Sequence, residues 1–209
     1  MKLKKESIGY VIVFTFVVCS AFVVLLAAAN QITLPRVKAN QSYASHYAVL
    51  KALDLAGPET SKAEVESTYS SQVKELPEPA PGMAAYGSTI DGAAYVAVKI
   101  TNPGLWGPIT AILAADPKAE RIRGLEMLDQ QETPGLGGRI GEAWFTDQFK
   151  GEKVGSDGKV TVAQGSGKGD PDKENSKVDA ITGASRTSDF VQTLVAKALA
   201  TVKEIGGSL

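Results

Sequence analysis

Asp179-Ala180-Ile181-Thr182-Gly183-Ala184-Ser185-Arg186-Thr187-Ser188 puts four hydroxyls, a glycine, two further small residues and one carboxylate directly ahead of a helical repeat. The repeat is the stripe Phe190, Val191, Leu194, Val195, Ala198, Leu199 and Val202, which ends at Gly206-Gly207. Such spacing predicts an amphipathic helix from near Ser185, lying on a sheet and closed by glycine. Unpaired N–H groups at a helix start form an anion site, and small residues let a bulky group reach the backbone. The same residue types are also the preferred N-caps, so the run reads either as a crowded cap or as a binding site.

Working outward from this helix, the period upstream changes to that of strands. Ala84 to Thr89, Ala93 to Thr101, Ile109 to Ala115 and Ile122 to Leu128 alternate or run apolar between turn residues. Ile90-Asp91-Gly92 and Asp116-Pro117-Lys118 supply turn chemistry. Gly141 to Phe149 reads as a short helix with Trp144, Phe145 and Phe149, and Lys159 to Ala163 as an edge strand. The Gly-, Lys- and Asp-rich stretch from Gln164 to Lys177 reads as a mobile surface loop. Ahead of the strands, Ser61 caps a predicted helix to Lys74 with Val65, Tyr69 and Val73 on one face. Pro77, Pro79, Pro81 and Gly82 then form a stiff connector. The expected fold class is α+β, an N-terminal transmembrane helix followed by an antiparallel sheet with packed helices.

At the N-terminus, Lys2, Lys4 and Lys5 precede a stretch from Ile8 to Ala29 without a charged residue. That length spans a bilayer core of about 30 Å. The lysines favour a cytoplasmic N-terminus, with Arg36 and Lys38 on the far side making the asymmetry modest. The expected location is thus the bacterial cytoplasmic (inner) membrane, crossed once, with the rest of the chain outside. A cleaved signal peptide ending near Ala27-Ala28-Ala29 is the competing reading, and the length of the run favours an anchor. Phe16, Val17 and Val18 before Cys19 argue against lipidation. From Gln31 to about Asp54, Leu34, Val37, Tyr43, Tyr47, Leu50 and Leu53 keep a helical spacing, with a break expected near Pro35. The division expected is 1–30 for the cytoplasmic tip and anchor, 31–82 for a helical stalk and connector, and 83–209 for the α+β domain.

Composition excludes much. The 209 residues are 44% hydrophobic, enough for one core, and a net charge of −1 without a basic stripe does not suit nucleic acid. Cys19 and His46 are the only residues of their types. That rules out an intrachain disulfide, a cysteine-ligated iron–sulfur cluster and a Cys/His zinc site, and a Ser–His triad would have to recruit His46.

Two more segments stand out. Gln131-Glu132-Thr133-Pro134-Gly135-Leu136-Gly137-Gly138 is a tight loop after the fourth predicted strand, and Gly104-Leu105-Trp106-Gly107-Pro108 precedes the third. Asp-x-x-Thr-Gly-Ala-Ser-x-Thr-Ser resembles the signature of the FMN-binding domain found in the G subunit of Rnf complexes and the C subunit of sodium-pumping NADH:quinone reductases. Glu-Thr-Pro-Gly-Leu-Gly and Gly-Leu-Trp resemble further segments of that family, so the likeness covers roughly residues 86–209. Family members usually carry Thr where this chain has Ser185.

The resemblance implies FMN joined through its phosphate to the Ser185 hydroxyl by a flavin transferase. It implies Thr182, Gly183, Ala184 and Thr187 around the attachment, Asp179 as a transferase recognition residue, and Glu132, Thr133, Leu136 and Gly137 beside the isoalloxazine ring. Trp106 is read either as a wall of the flavin pocket or as an ordinary buried tryptophan at a strand end. Arg186 is read as solvated rather than paired with the phosphate. The implied role is an electron-transfer subunit of a Rnf-type complex passing electrons between NADH and ferredoxin. The alternative is the C subunit of the sodium-translocating quinone reductase. Either way the partners are other membrane subunits, and the chain itself lacks an NADH site, a quinone site, an ion path and metal ligands. A pilin-like structural protein and a domain that captures a phosphorylated ligand without a covalent bond are the remaining readings.

Overall fold

The structure, a computed structural model, describes residues 7–207. Helix α1 runs from Ile8 to Ala52, passing through Pro35 without interruption. The expected break is absent: proline removes one N–H from the ladder, a local loss that the hydrogen bonds on either side survive. Among the described residues α1 is the one helix long and apolar enough to cross a membrane, and apolar side chains from Val11 to Leu26 stand exposed along it. The chain forms two compact units, one up to Ser42 and one from Tyr43 onward.

The second unit is built on a five-stranded antiparallel meander in sequence order. Its strands are β1 (Val73–Leu76), β2 (Ala84–Ile90), β3 (Ala93–Pro103), β4 (Pro108–Ala115) and β5 (Ile122–Asp129). The β2–β3 hairpin turns on Asp91 and Gly92, both at positive φ (51° and 80°), the conformation that an Asp-Gly type I′ turn demands. Helix α2 (Lys62–Gln72) begins at Ser61 with the expected cap. It stops two residues short of the prediction, because Val73 and Lys74 pair with Ser88 and Gly87 as the start of β1.

The sheet is covered on both faces. Val96, Val98, Ile100, Ala111 and Leu113 pack against the final helix α4 (Ser185–Gly206) through Val191, Leu194, Val195, Ala198, Leu199 and Val202. Ala97, Ile112 and Ala114 meet Ala48, Val49, Leu50 and Leu53 of α1 and Val65 and Tyr69 of α2. This is why residues 109–115 are apolar at every position but Thr110: side chains alternate across a strand, and here both sides are buried. Each fully buried Leu or Val contributes roughly 1.5–3 kcal/mol.

Between β5 and α4 the single helix expected over residues 141–149 is instead a 3-10 turn at Gly137–Gly141, a one-turn helix α3 (Ala143–Thr146) and a 3-10 turn at Asp147–Phe149. Strands β6 (Thr161–Ala163) and β7 (Lys177–Asp179) pair in parallel as a separate ribbon. β7 lies at the end of the polar stretch read as a mobile loop and delivers Asp179 to the start of α4.

Candidate functional site

Helix α4 starts at Ser185, with Ala184 at the N-cap and no side-chain cap. The run is therefore not a crowded cap. Its four hydroxyls divide into two pairs. Thr187 and Ser188 are buried: the Thr187 hydroxyl donates to Glu132 Oε2 at 2.6 Å, and Ser188 Oγ accepts from the Ile181 amide at 3.1 Å. Thr182 and Ser185 are exposed. Gly183, at φ 81°, makes the turn into the helix, and Ala184 packs against the core. An uncapped helix start with an exposed hydroxyl at its first residue suits a phosphate ester.

Glu132 joins the three segments that the sequence singled out. Its carboxylate is buried and accepts from the amides of Leu105 (2.8 Å) and Trp106 (3.1 Å) through Oε1, and from Thr187 through Oε2. The approach needs glycine on two sides. A Cβ on Gly104 would lie 2.6 Å from Glu132 Oε1, and one on Gly137 would lie 2.5 Å from Thr187 Oγ1. The loop itself is a type II turn: the Leu136 amide donates to the Thr133 carbonyl at 3.1 Å, with Pro134 and Gly135 (φ 75°) at its centre. The Thr133 carbonyl also accepts from Gly138, and the Thr133 side chain is exposed.

Around this clasp three large apolar side chains face out: Trp106 at 70% exposure, Leu105 at 49% and Leu136 at 46%. Leu136 borders the turn that leads into α4, since a Cβ on Gly183 would sit 3.4 Å from its Cδ2. Trp106 is thus no buried strand-end tryptophan; it sits in the β3–β4 hairpin loop with its ring in the open. Leu105 carries no expectation from sequence beyond its place in the Gly-Leu-Trp segment. The signal available was an apolar residue beside tryptophan in a glycine-bounded loop. Arg186 is exposed, with its guanidinium 6.0 Å from the Phe190 ring centroid.

Asp179 is buried, and Ser166 Oγ and the amides of Gly167 and Gly169 donate to its Oδ2 at 2.9, 2.9 and 3.2 Å. Its own amide donates to Gln148 Oε1 at 2.7 Å, an oxygen shared with the Asp170 amide. The stretch from Gln164 to Lys177 is therefore tied down through Asp179, Gln148 and Asp170. Gln148, buried in a 3-10 turn, is a residue that sequence reasoning did not single out.

A depression of about 190 Å3 beside α4 is lined by Gln164, Ile181, Thr182, Gly183, Ser185 and Asp189. That is below the roughly 300–1,000 Å3 of enclosed ligand pockets, and it fits a phosphate with its first carbons. A flat ring would rest on the open Leu136 and Trp106 side chains instead. A larger depression of about 940 Å3, near Val154, Leu199 and Lys203, contains none of Trp106, Glu132, Leu136, Asp179, Thr182, Ser185 and Thr187. The residues present thus fit FMN: an exposed alcohol, an uncapped helix start and exposed apolar surface held in one frame.

Comparison with known proteins agrees. Residues 104–200, which contain all three segments, match the FMN-binding domain family. The C subunit of the Na(+)-translocating NADH-quinone reductase of Neisseria meningitidis serogroup A is 42% identical over 90 residues, 43% of this chain and 34% of that protein. Its counterpart in Vibrio anguillarum is 32% identical over 105 residues, 49% of this chain and 40% of that protein. The matched stretch thus spans about a third of the first of these relatives and two fifths of the second. The crystal structure of the C subunit from Parabacteroides distasonis superposes with a TM-score of 0.63 at 25% identity, covering 79% of this chain and 93% of that one. NqrC of Shewanella oneidensis gives 0.68 at 19% identity, covering 82% and 100%, a likeness of fold. These relatives favour the quinone-reductase alternative over the Rnf reading.

Proposed function

We propose that this chain, which carries an FMN-binding domain homologous to the C subunit of Na(+)-translocating NADH-quinone reductase, is a membrane-anchored electron-transfer subunit holding FMN by a phosphoester to Ser185. The observation that carries this reading is the division of the hydroxyls: Thr187 and Ser188 are spent inward, while Ser185 opens the helix at the surface.

In this reading the N-terminal amides of α4 take the phosphate charge and Gly183 leaves room for it. Leu136, Trp106 and Leu105 cover one face of the ring and keep water from it, and the Thr133 hydroxyl meets its polar edge. Glu132 and Thr187 hold these pieces in register. Asp179 serves the transferase indirectly, by shaping the 166–169 loop, whose Gly167 lies beside Thr182. Bound FMN supplies one- and two-electron chemistry that no side chain here offers. Helix α1 anchors the subunit in the inner membrane with its N-terminus cytoplasmic. The ester retains the cofactor outside, where no cytoplasmic pool replaces it. The partners are the other membrane subunits of a sodium-translocating, quinone-reducing translocase, and a flavin transferase during maturation.

Co-expression with a flavin transferase tests the attachment. The denatured protein should fluoresce under ultraviolet light in a gel, and its intact mass should rise by one FMN minus water. Ser185→Ala should abolish both; a mass gain that persists in this variant refutes the assignment.

A further inference from the structure

Glu132 is 4% exposed, and among the described residues no lysine, arginine or histidine is ion-paired with it. Every partner donates to it: the amides of Leu105 and Trp106 at 2.8 and 3.1 Å and the Thr187 hydroxyl at 2.6 Å. Acceptance from all sides is the pattern of an ionised carboxyl. A neutral glutamine would meet two amides and a hydroxyl at a smaller desolvation cost. The frame alone therefore does not account for the charge.

The charge sits one hydrogen bond behind the backbone that carries Leu105 and Trp106, and in the same loop as Leu136. A buried charge acts at short range with little screening. Its sign opposes that of the uncapped α4 N-terminus, which favours negative charge nearby. We propose that Glu132 is a charged positioning residue for the flavin: it locks the two ring-facing segments to the phosphate-facing start of α4 and lowers the midpoint potential of the bound FMN. The inference rests on attachment at Ser185. Adding an electron to the ring puts negative charge beside a fixed negative charge, so reduction is disfavoured relative to the same frame without it.

The test is a spectroelectrochemical titration of the detergent-solubilised, flavinylated full chain. Glu132→Gln keeps the side-chain shape and should retain the FMN mass gain while shifting the midpoint potential to a more positive value. Ser188→Ala loosens the start of α4 without touching Glu132, and Glu132→Asp keeps the charge on a shorter stem. Both should stay near the wild-type potential even where their unfolding midpoints fall. A Glu132→Gln potential equal to or below wild type overturns the proposal, as does an equal positive shift in Ser188→Ala or Glu132→Asp. Should Glu132→Gln fail to fold, a positive shift in Glu132→Asp still overturns it. Absence of a mass gain in the wild-type chain would defeat the attachment at Ser185 and this inference with it.

Discussion

Ser188 Oγ accepts the amide of Ile181 at 3.1 Å and donates to the Ala184 carbonyl, also at 3.1 Å. One hydroxyl thereby fixes the turn from Ile181 to Ala184 against the first turn of α4. Ser188→Ala leaves the buried Ile181 amide without an acceptor, which costs about 1–3 kcal/mol. Chemical denaturation of the full chain should show a lower midpoint with an unchanged slope.

The buried pair and the exposed pair of hydroxyls should respond differently to substitution. Ser185→Thr keeps an exposed aliphatic alcohol at the first residue of α4 and should retain the FMN mass gain. Thr187→Val removes the donor to Glu132 Oε2 and should lower stability by about 1–3 kcal/mol while keeping the mass gain. A folded Thr187→Val chain that gains no mass would contradict the division of roles.

How far the sequence could be read depends on where each determinant lies. Strands β2 to β5 were legible because alternation and turn residues are local. β1 was not, because Val65, Tyr69 and Val73 continue a helical spacing. What ends α2 is pairing with β2, a long-range event with no local signal. The 164–177 stretch looks unstructured by composition, yet its donors find Asp179, Gln148 and Asp170, two of which lie outside the segment. At the site, the resemblance to the FMN-binding family pointed to Ser185, Leu136 and Trp106. It could not reveal that Glu132 turns inward to Thr187, 55 positions away, instead of towards a ligand.

Gly165 and Asp179 form a contact that tolerates no side chain: a Cβ on Gly165 would lie 1.7 Å from Asp179 Oδ1. Gly165→Ala must therefore displace the carboxylate that holds Ser166, Gly167 and Gly169. Asp179→Asn leaves the backbone in place but gives up the charge that strengthens those bonds. Both variants should speed hydrogen exchange at the Gly167 and Gly169 amides and lower FMN incorporation by the transferase. An Asp179→Asn chain with wild-type exchange and poor incorporation would instead mean that the enzyme reads the carboxylate directly.

Glu152 gives the fold a pH dependence of predictable sign. It is fully buried, its Oε1 accepts the Lys177 amide at 3.1 Å, and among the described residues its Oε2 makes no hydrogen bond. Burial pushes its pKa above the ordinary carboxylate value; the Lys177 amide, the Lys173 ammonium and the Ser176 amide pull it down, and the Asp170 carboxylate pushes it up. A carboxyl whose pKa is higher in the folded state favours folding while protonated. That contribution is complete below the unfolded value of about 4.3 and is lost as pH rises through the folded value. Glu152→Gln keeps the shape without the ionisation. It should melt above wild type at neutral and alkaline pH, and the gap should close as pH falls towards about 4. Melting temperatures for both proteins across that range check the sign, and a gap that widens on acidification would show that the folded state stabilises the ionised form.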